Sequence, residues 1–401
     1  MPAEKQRKEM ESFYRTHAYL VEHTNAPVRR DLMDEIDWSD RLICIKGTRG
    51  VGKTTFLLQY AKEKFGTDRS CLFINMNKFY FSGHSLVYFA NEFQKRGGKV
   101  LLIDQVFKHP EWSRELRMCY DRFPSLKIVF TGSSVMRLKE ENLELRDIAK
   151  SYNLRGFSFR EFLNLQTGMK FRAYSLEEIL STHEQIAKGV LSKVRPLDYF
   201  QDYLHHGFYP FFLEKRNFSE NLLKTMNMMV EVDILLIKQI ELKYLSKIKK
   251  LLYLLAVDGP KAPNVSQLAS DIQTSRATIM NYIKYLADAR LINLVYQKGE
   301  EFPKKPSKIM MHNSNLMYSI YPVKVEEQDV LDTFFVNTLW KDHKVHKGDK
   351  NVSFMVDEVM PFKICAEGAK IKNNPDVTYA LQKAEIGRGN QIPLWMFGFL
   401  Y

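Results

Sequence analysis

The sequence is poor in cysteine. Its four cysteines, Cys44, Cys71, Cys119 and Cys365, stand far apart and form no CxxC pair. That spacing excludes a disulfide framework and a thiolate zinc site, and it leaves Cys44 and Cys71, set in apolar runs, as reduced core residues of a cytoplasmic protein. Long apolar runs are missing too: none approaches the ~18 residues that span a bilayer. The start, MPAEKQRKEMESFYRTHAYL, lacks the apolar stretch of a secretory signal, so no membrane partner is expected. The histidines show no metal-ligand spacing, and there is no internal repeat or low-complexity segment. Acidic residues are outnumbered, with 47 Asp and Glu against 59 Lys and Arg, for a net charge of +12. An excess of that sign favours an anionic partner, nucleic acid first, provided that a fold able to bind it is found in the same chain.

What is present points to a globular protein. An apolar fraction of 45% and a charged fraction of 26% are ordinary for one. The length implies about two to four domains. The most informative segment is GTRGVGKTT, which follows the apolar run RLICIK and precedes FLLQYAKEKFG. Strand, glycine-rich loop and helix in that order form a phosphate-binding loop made of Gly47, Thr48, Arg49, Gly50, Val51, Gly52, Lys53, Thr54 and Thr55. Gly47, Gly50 and Gly52 let the backbone curl so that successive N–H groups face the β- and γ-phosphates of ATP. Lys53 reaches those phosphates, Thr54 offers a hydroxyl to Mg²⁺, and the helix contributes its positive end.

Beyond the loop, strand and helix patterns alternate. CLFINMN, KVLLID, LKIVFTGSS and a strand within SYNLRGFSFREFLNL follow the first strand, with helices expected over HSLVYFANEFQKRGG and over HPEWSRELRMCYDRF, the latter with Pro110 in its first turn. Continuous apolar strands, each followed by a helix, predict an α/β fold with a parallel sheet covered on both faces. Ligands of such sheets bind beyond the carboxyl ends of the strands, where the loop, Asp104 and Ser133 fall. The expected organisation is an ATPase core over 1–170, an all-α lid over 171–255, a winged helix over 256–322 and a small α+β domain over 323–401. In the third segment, NVSQLASDIQTSRATIMNYIKYLADARLINLVYQ reads as a helix capped by Ser266, a turn at Gln273-Thr274 and a second helix from Ser275. LINLVYQ and IMMHN would then form a two-stranded wing around KGEEFPKKPSK.

Asp104, at the end of KVLLID, is the expected partner of Thr54 in holding Mg²⁺. The next position calls for a glutamate that deprotonates the attacking water, and it holds Gln105 instead. Gln keeps the shape of Glu but is no base, so ATP and Mg²⁺ could bind while hydrolysis slows severely. Two accounts stand: a chain built for weak hydrolysis, or a glutamine replacement that traps an ATPase. Ser133 is the candidate sensor of the γ-phosphate, with Ser134 as cap of a helix over VMRLKEENLELRD. Arg146 and Arg155 are candidate arginine fingers.

GTRGVGKTT, LLIDQVFKHPEW, IVFTGSS and LRGFSFREFL together resemble the AAA+ superfamily, in its prokaryotic branch related to archaeal-type ATPases. The branch's second motif ends in a proline, matched by Pro110, and departs only at Gln105. HHGFYPF resembles the glycine-proline motif of the family's lid, which implies that Gly207 and Pro210 lie against the adenine. The resemblance covers nearly the whole chain and implies a last domain similar to a restriction nuclease. There NVSFMVDEVMPFKICAEG carries Ser353 where an aspartate is expected, and the glutamate-x-lysine element reads as FKICAEG. Asp332, Asp357, Lys363 and Glu367 do not fall at the family's spacing, so the domain is expected to be degenerate and non-catalytic.

Two functions fit. One is an ATP-driven or ATP-gated machine on DNA, contacting a groove through Arg276, Thr278, Asn281 and Lys284 and through the wing lysines Lys298, Lys304, Lys305 and Lys308. The other is an ATP-gated assembly switch whose target is a protein. Self-association is expected in either case.

Overall fold

The computed structural model describes residues 2–136, 142–214, 216–371 and 374–401. The chain forms two compact units, Met1–Arg155 and Gly156–Tyr401. Helix 159–167, expected within the ATPase core, belongs to the second unit.

The first unit is a five-stranded parallel sheet. Its strands are β1 (Leu42–Gly47), β2 (Cys71–Asn75), β3 (Val100–Asp104), β4 (Lys127–Ser133) and β5 (Lys150–Asn153), in the order β2-β3-β4-β1-β5. All neighbouring pairs run parallel, with Gly47 opposite Ser133 and Asn75 opposite Asp104, so four strand ends share one edge. Every residue of β3 is buried, which is why VLLID shows no alternation of apolar and polar residues.

Among its described residues this unit carries the α-helices α1 (Pro2–His23), α2 (Leu32–Glu35), α3 (Lys53–Lys64), α4 (Leu86–Lys95) and α5 (Trp112–Arg122). The long α1 packs on β2 and α3, outside any element the sequence patterns announced. Phe13 anchors it in an aromatic cluster, with its ring 4.8 Å from that of Phe89 and 5.1 Å from that of Tyr80. His17 Nδ1 accepts a bond of 3.0 Å from the Phe73 amide. Pro110 lies ahead of α5 rather than inside its first turn. The helix expected after Ser134 falls partly on residues outside those described.

The second unit begins with helices. Helices 159–167 and 176–191 both open with a reciprocal capping box, Ser158 with Glu161 and Ser175 with Glu178. Helices 218–228 and 245–258 follow. Helix 265–272 is capped by the Asn264 side chain, not by Ser266, because only Asn264 lies one residue ahead of the first helical turn. Gln273 then turns in the left-handed region at φ 53°, and Ser275 caps helix 276–288. Strands β6 (Ile292–Val295) and β7 (Lys308–Met311) form an antiparallel hairpin beside these helices. Last come helix 327–339 and a mixed sheet of β8 (Val345–Lys347), β9 (Phe354–Val356), β10 (Met360–Cys365), β11 (Thr378–Leu381) and β12 (Gln391–Pro393). The closing segment Leu394–Phe399 is wholly buried and packs on helices 159–167 and 327–339.

Candidate functional site

Strand β1 delivers the chain into the glycine-rich loop at Gly47. A Cβ there would lie 2.3 Å from the Leu154 carbonyl oxygen, so only glycine fits. The loop turns through left-handed Gly50 and Gly52, with φ 86° and 94°, and α3 begins at Lys53. No side chain caps α3, so its leading N–H groups point into the loop's hollow as donors for an anion. The Lys53 ammonium donates to the Gly47 and Thr48 carbonyls at 2.8 and 2.7 Å, which holds the cation over the loop. Thr48 and Val51 are buried; Arg49 and Gly52 are partly so, and Thr54 and Thr55 stand on the first turn of α3.

Asp104 ends β3 and is 2% exposed. Its Oδ2 accepts from Thr54 Oγ1 at 2.9 Å and from Asn75 Nδ2 at 3.0 Å, and its Oδ1 accepts from Thr131 Oγ1 at 2.6 Å. A hydroxyl and a carboxylate side by side beneath the loop are the oxygen donors that suit Mg²⁺, which keeps several waters and takes its other ligands from phosphates. The donor set fits the ion. Gln105 sits in the left-handed region at φ 55°, with its amide donating to Thr131 Oγ1 at 2.8 Å. Its side chain is half-buried and carries no group able to take a proton.

Three residues outside the sequence reading shape the site. Thr131 ties Asp104 to the backbone of Gln105, and Asn75 supplies a further donor to Asp104. Arg30 is buried and bridges the Val51 carbonyl, at 3.4 Å, to the Arg155 carbonyl, at 2.8 Å. Ser133 is also buried at the tip of β4, where its hydroxyl accepts from the Val135 amide at 3.4 Å. Arg146 is exposed and Arg155 half-buried at the end of the first unit.

In the second unit, Gly207 ends a π-helical turn and packs tightly: a Cβ would lie 2.5 Å from the Tyr203 ring and 2.8 Å from that of Phe162. Pro210 opens a short 3-10 helix. On helix 276–288, Ile279, Tyr282, Ile283 and Leu286 face inward, leaving Arg276 and Asn281 exposed. The Thr278 hydroxyl is engaged with Ser275 at 2.8 Å. Lys284 departs from the expected groove-facing row, because its ammonium is committed to Asp288 at 2.6 Å. Lys308 departs as well. It stands on β7, not in the wing loop, and pairs with Asp332 at 2.8 Å with both groups largely buried. Lys298 pairs with Glu358 at 3.1 Å and Lys304 with Glu300 at 3.3 Å. Lys305 is exposed and lines a depression of about 340 Å³ together with Arg276 and residues 262–266.

Asp332, Ser353 and Lys363, distant in sequence, line one cavity, with Lys363 on β10. Asp357 lies apart in the turn after β9, bonded to His343 at 2.6 Å, and Glu367 pairs with Lys383 at 3.7 Å. Among the described residues no three His, Cys, Asp or Glu side chains gather as a metal site.

A parallel sheet that delivers such a loop onto a helix, with a carboxylate from a second strand beside the loop's threonine, defines a P-loop ATPase. Residues 39–163 match the family described as "AAA domain", and this part of the chain is an AAA+ ATPase domain. Residues 197–324 match a family described as a domain of unknown function. The uncharacterized protein MJ1637 of Methanocaldococcus jannaschii is 29% identical over 276 residues, covering 64% of this chain and 57% of its own. MJ1544 of the same organism is 26% identical over 272 residues, covering 64% and 56%. The chain thus spans little more than half the length of these relatives. The solved structure of the Aeropyrum pernix ORC1 protein in complex with DNA aligns at a TM-score of 0.30 and 10% identity, over 78% of this chain and 92% of that one. AMPPCP-bound DnaA from Aquifex aeolicus aligns at 0.23 and 12%, over 62% and 82%. At those scores the two structures carry no argument about function. Among the described residues, no helix is long and apolar enough to cross a membrane.

Proposed function

We propose that the chain binds ATP with Mg²⁺ in the first unit and couples that binding to DNA held by a winged helix in the second. The observation that carries the nucleotide half is the 2.9 Å contact of Thr54 with Asp104 directly beneath the uncapped start of α3. Lys53 and the loop amides would hold the phosphates, and Thr54 and Asp104 would hold the ion. An ion held there by Thr54 and Asp104 would supply charge neutralisation for the phosphates. Gln105, fixed through its amide by Thr131, can orient a water by hydrogen bonding but cannot deprotonate it. The reading is therefore of a slow ATP hydrolase. Arg146 and Arg155 remain candidate fingers toward a second copy, and Gly207 and Pro210 candidate lid contacts with the adenine.

The DNA half rests on helices 265–272 and 276–288 with the β6–β7 hairpin, and on the net charge of +12. Arg276 and Lys305, together on one depression, are the leading phosphate contacts, and the exposed Asn281 and Lys304 are further candidates. Because Gln105 supplies no base, a second reading is an ATP-gated assembly switch that acts on a protein. One set of variants separates the two. Lys53→Ala should abolish ATP binding, and Gln105→Glu should raise turnover by orders of magnitude. Exchanging Arg276 and Lys305 for glutamate should weaken duplex binding in a salt titration while sparing ATP. Unchanged ATP affinity in the Lys53 variant sinks the site; no duplex binding by the parent at low salt leaves the switch.

A further inference from the structure

The cavity of the last domain has a charge that a metal site would not have. It measures about 540 Å³ and is lined by four lysines, Lys308, Lys347, Lys350 and Lys363, against two carboxylates, Asp332 and Asp349. Lys308 and Asp332 neutralise each other at 2.8 Å, and the second Asp332 oxygen accepts from Gln328 Nε2 at 2.8 Å. The remaining cations are Lys347, Lys350 and Lys363, and among the described residues none has a carboxylate within ion-pair distance. Against these three ammonium groups stands one further carboxylate, Asp349, so the hollow keeps an excess of positive charge that an anion would offset. Lys363 is half-buried on β10, next in the chain to fully buried Phe362, so the strand's alternation places it on the opposite face from the apolar core. Ser353 adds a hydroxyl: its Oγ accepts from the Ile364 amide at 3.1 Å, which leaves its proton to donate. A carboxylate at position 353 would give the cavity a cation preference. A serine there adds a donor and no negative charge.

We infer that this cavity is a phosphate-binding site, gripped by Lys347, Lys350, Lys363 and the Ser353 hydroxyl, in which lysines do the work that a metal would do in a nuclease. The phosphate has two sources, a phosphodiester of a nucleic-acid strand or a free phosphate or nucleotide. Gln297 and Lys308, contributed by the β6–β7 hairpin, place the cavity beside the surface read above as DNA-binding, so the strand is the favoured source and that preference rests on that reading.

The test uses the full chain and the double variant Lys347→Gln/Lys363→Gln, which removes both charges and leaves polar side chains, with Lys383→Gln outside the cavity as control. Inorganic phosphate, a nucleoside 5′-monophosphate and a short oligonucleotide are titrated by calorimetry across salt concentrations. The Lys53→Ala background silences the ATP loop. For a strand, the double variant should lower the slope of log K against log salt by about one to two, the control leaving it unchanged. For a free ligand, phosphate or monophosphate binding should be lost in the double variant while the oligonucleotide is unaffected. Either result supports the site. Equal binding of all three probes to parent and double variant overturns it, even where the Arg276 and Lys305 variant weakens duplex binding and so keeps the DNA reading. If the parent binds no oligonucleotide, the DNA reading fails, and the free-phosphate titration decides the cavity alone. Ser353→Asp gives a folded check on sign, since an added carboxylate should weaken any of these anions.

Discussion

Thr131→Val should uncouple Asp104 from Gln105. Valine matches threonine in volume, so no cavity opens and the change is confined to the hydroxyl. That hydroxyl is fully buried, donates to Asp104 Oδ1 at 2.6 Å and accepts from the Gln105 amide at 2.8 Å. A hydrogen bond to a carboxylate contributes about 1.5–3 kcal/mol and one between neutral groups about 0.5–1.5 kcal/mol, and the carboxylate is buried. The expected loss is about 2–4 kcal/mol, or a fall of roughly 4–16 °C in midpoint for a unit of this size. Thr131→Ser keeps both bonds and loses one buried methyl, for about 1 kcal/mol. Urea unfolding followed by circular dichroism gives the free energies, and hydrogen exchange of the β3 and β4 amides assigns the loss to the first unit. The serine variant should retain ATP affinity, and the valine variant should lose part of it as Asp104 swings. A valine variant as stable as the parent, or a serine variant as damaged as the valine one, would refute the argument that this hydroxyl carries the link.

Two further outcomes follow from buried groups. Burial pushes the His17 imidazole below its ordinary value of 6.5, so the unfolded chain binds its proton first. The stability held by the neutral ring is therefore complete above about 6.5 and is lost as pH falls toward the depressed folded value. Urea midpoints at pH 7.5 and 5.5 should diverge more in the parent than in His17→Gln, and equal divergence would exclude His17 as the cause. Deleting 392–401 removes Leu394, Trp395 and Phe397, each 0% exposed. At about 1.5–3 kcal/mol for each large side chain, that approaches the whole stability of a domain. The truncated chain should aggregate or lose its cooperative melt, and a melt within a few degrees of the parent would contradict the burial argument.

The parallel sheet was legible because four of its strands, all but the polar β5, are apolar runs, and the glycine-rich loop because glycine spacing is a local signal. The hairpin and the two helices before it were legible for the same reason. Thr131 was hidden: inside IVFTGSS a threonine reads as a strand former, and only the register of β4 against β3 turns it toward Asp104. Helix α1 was hidden because its polar face and scattered apolar residues look like a mobile start until Phe13 and His17 find β2 and its neighbours. Lys284 and Lys308 show the reverse error. Charge in a polar stretch suggested solvent, while Asp288 and Asp332, which hold them, come from other turns or elements. The lysine cavity joins β7, β8, β10 and helix 327–339, a juxtaposition that no spacing along the chain encodes.

Arg30 has a mechanical consequence. The chain leaves the first unit at Arg155, and a single buried guanidinium joins the carbonyl of that residue to the carbonyl of Val51 in the phosphate loop. One residue earlier, the Leu154 carbonyl rests against Gly47 so closely that no side chain fits between them. The loop and the exit point are thus clamped at two places. A shift of the loop backbone draws Arg155 with it, or else breaks a charge-assisted bond made by a buried guanidinium. The first unit carries its own tether between the glycine-rich loop and the peptide bond from which everything downstream is hung.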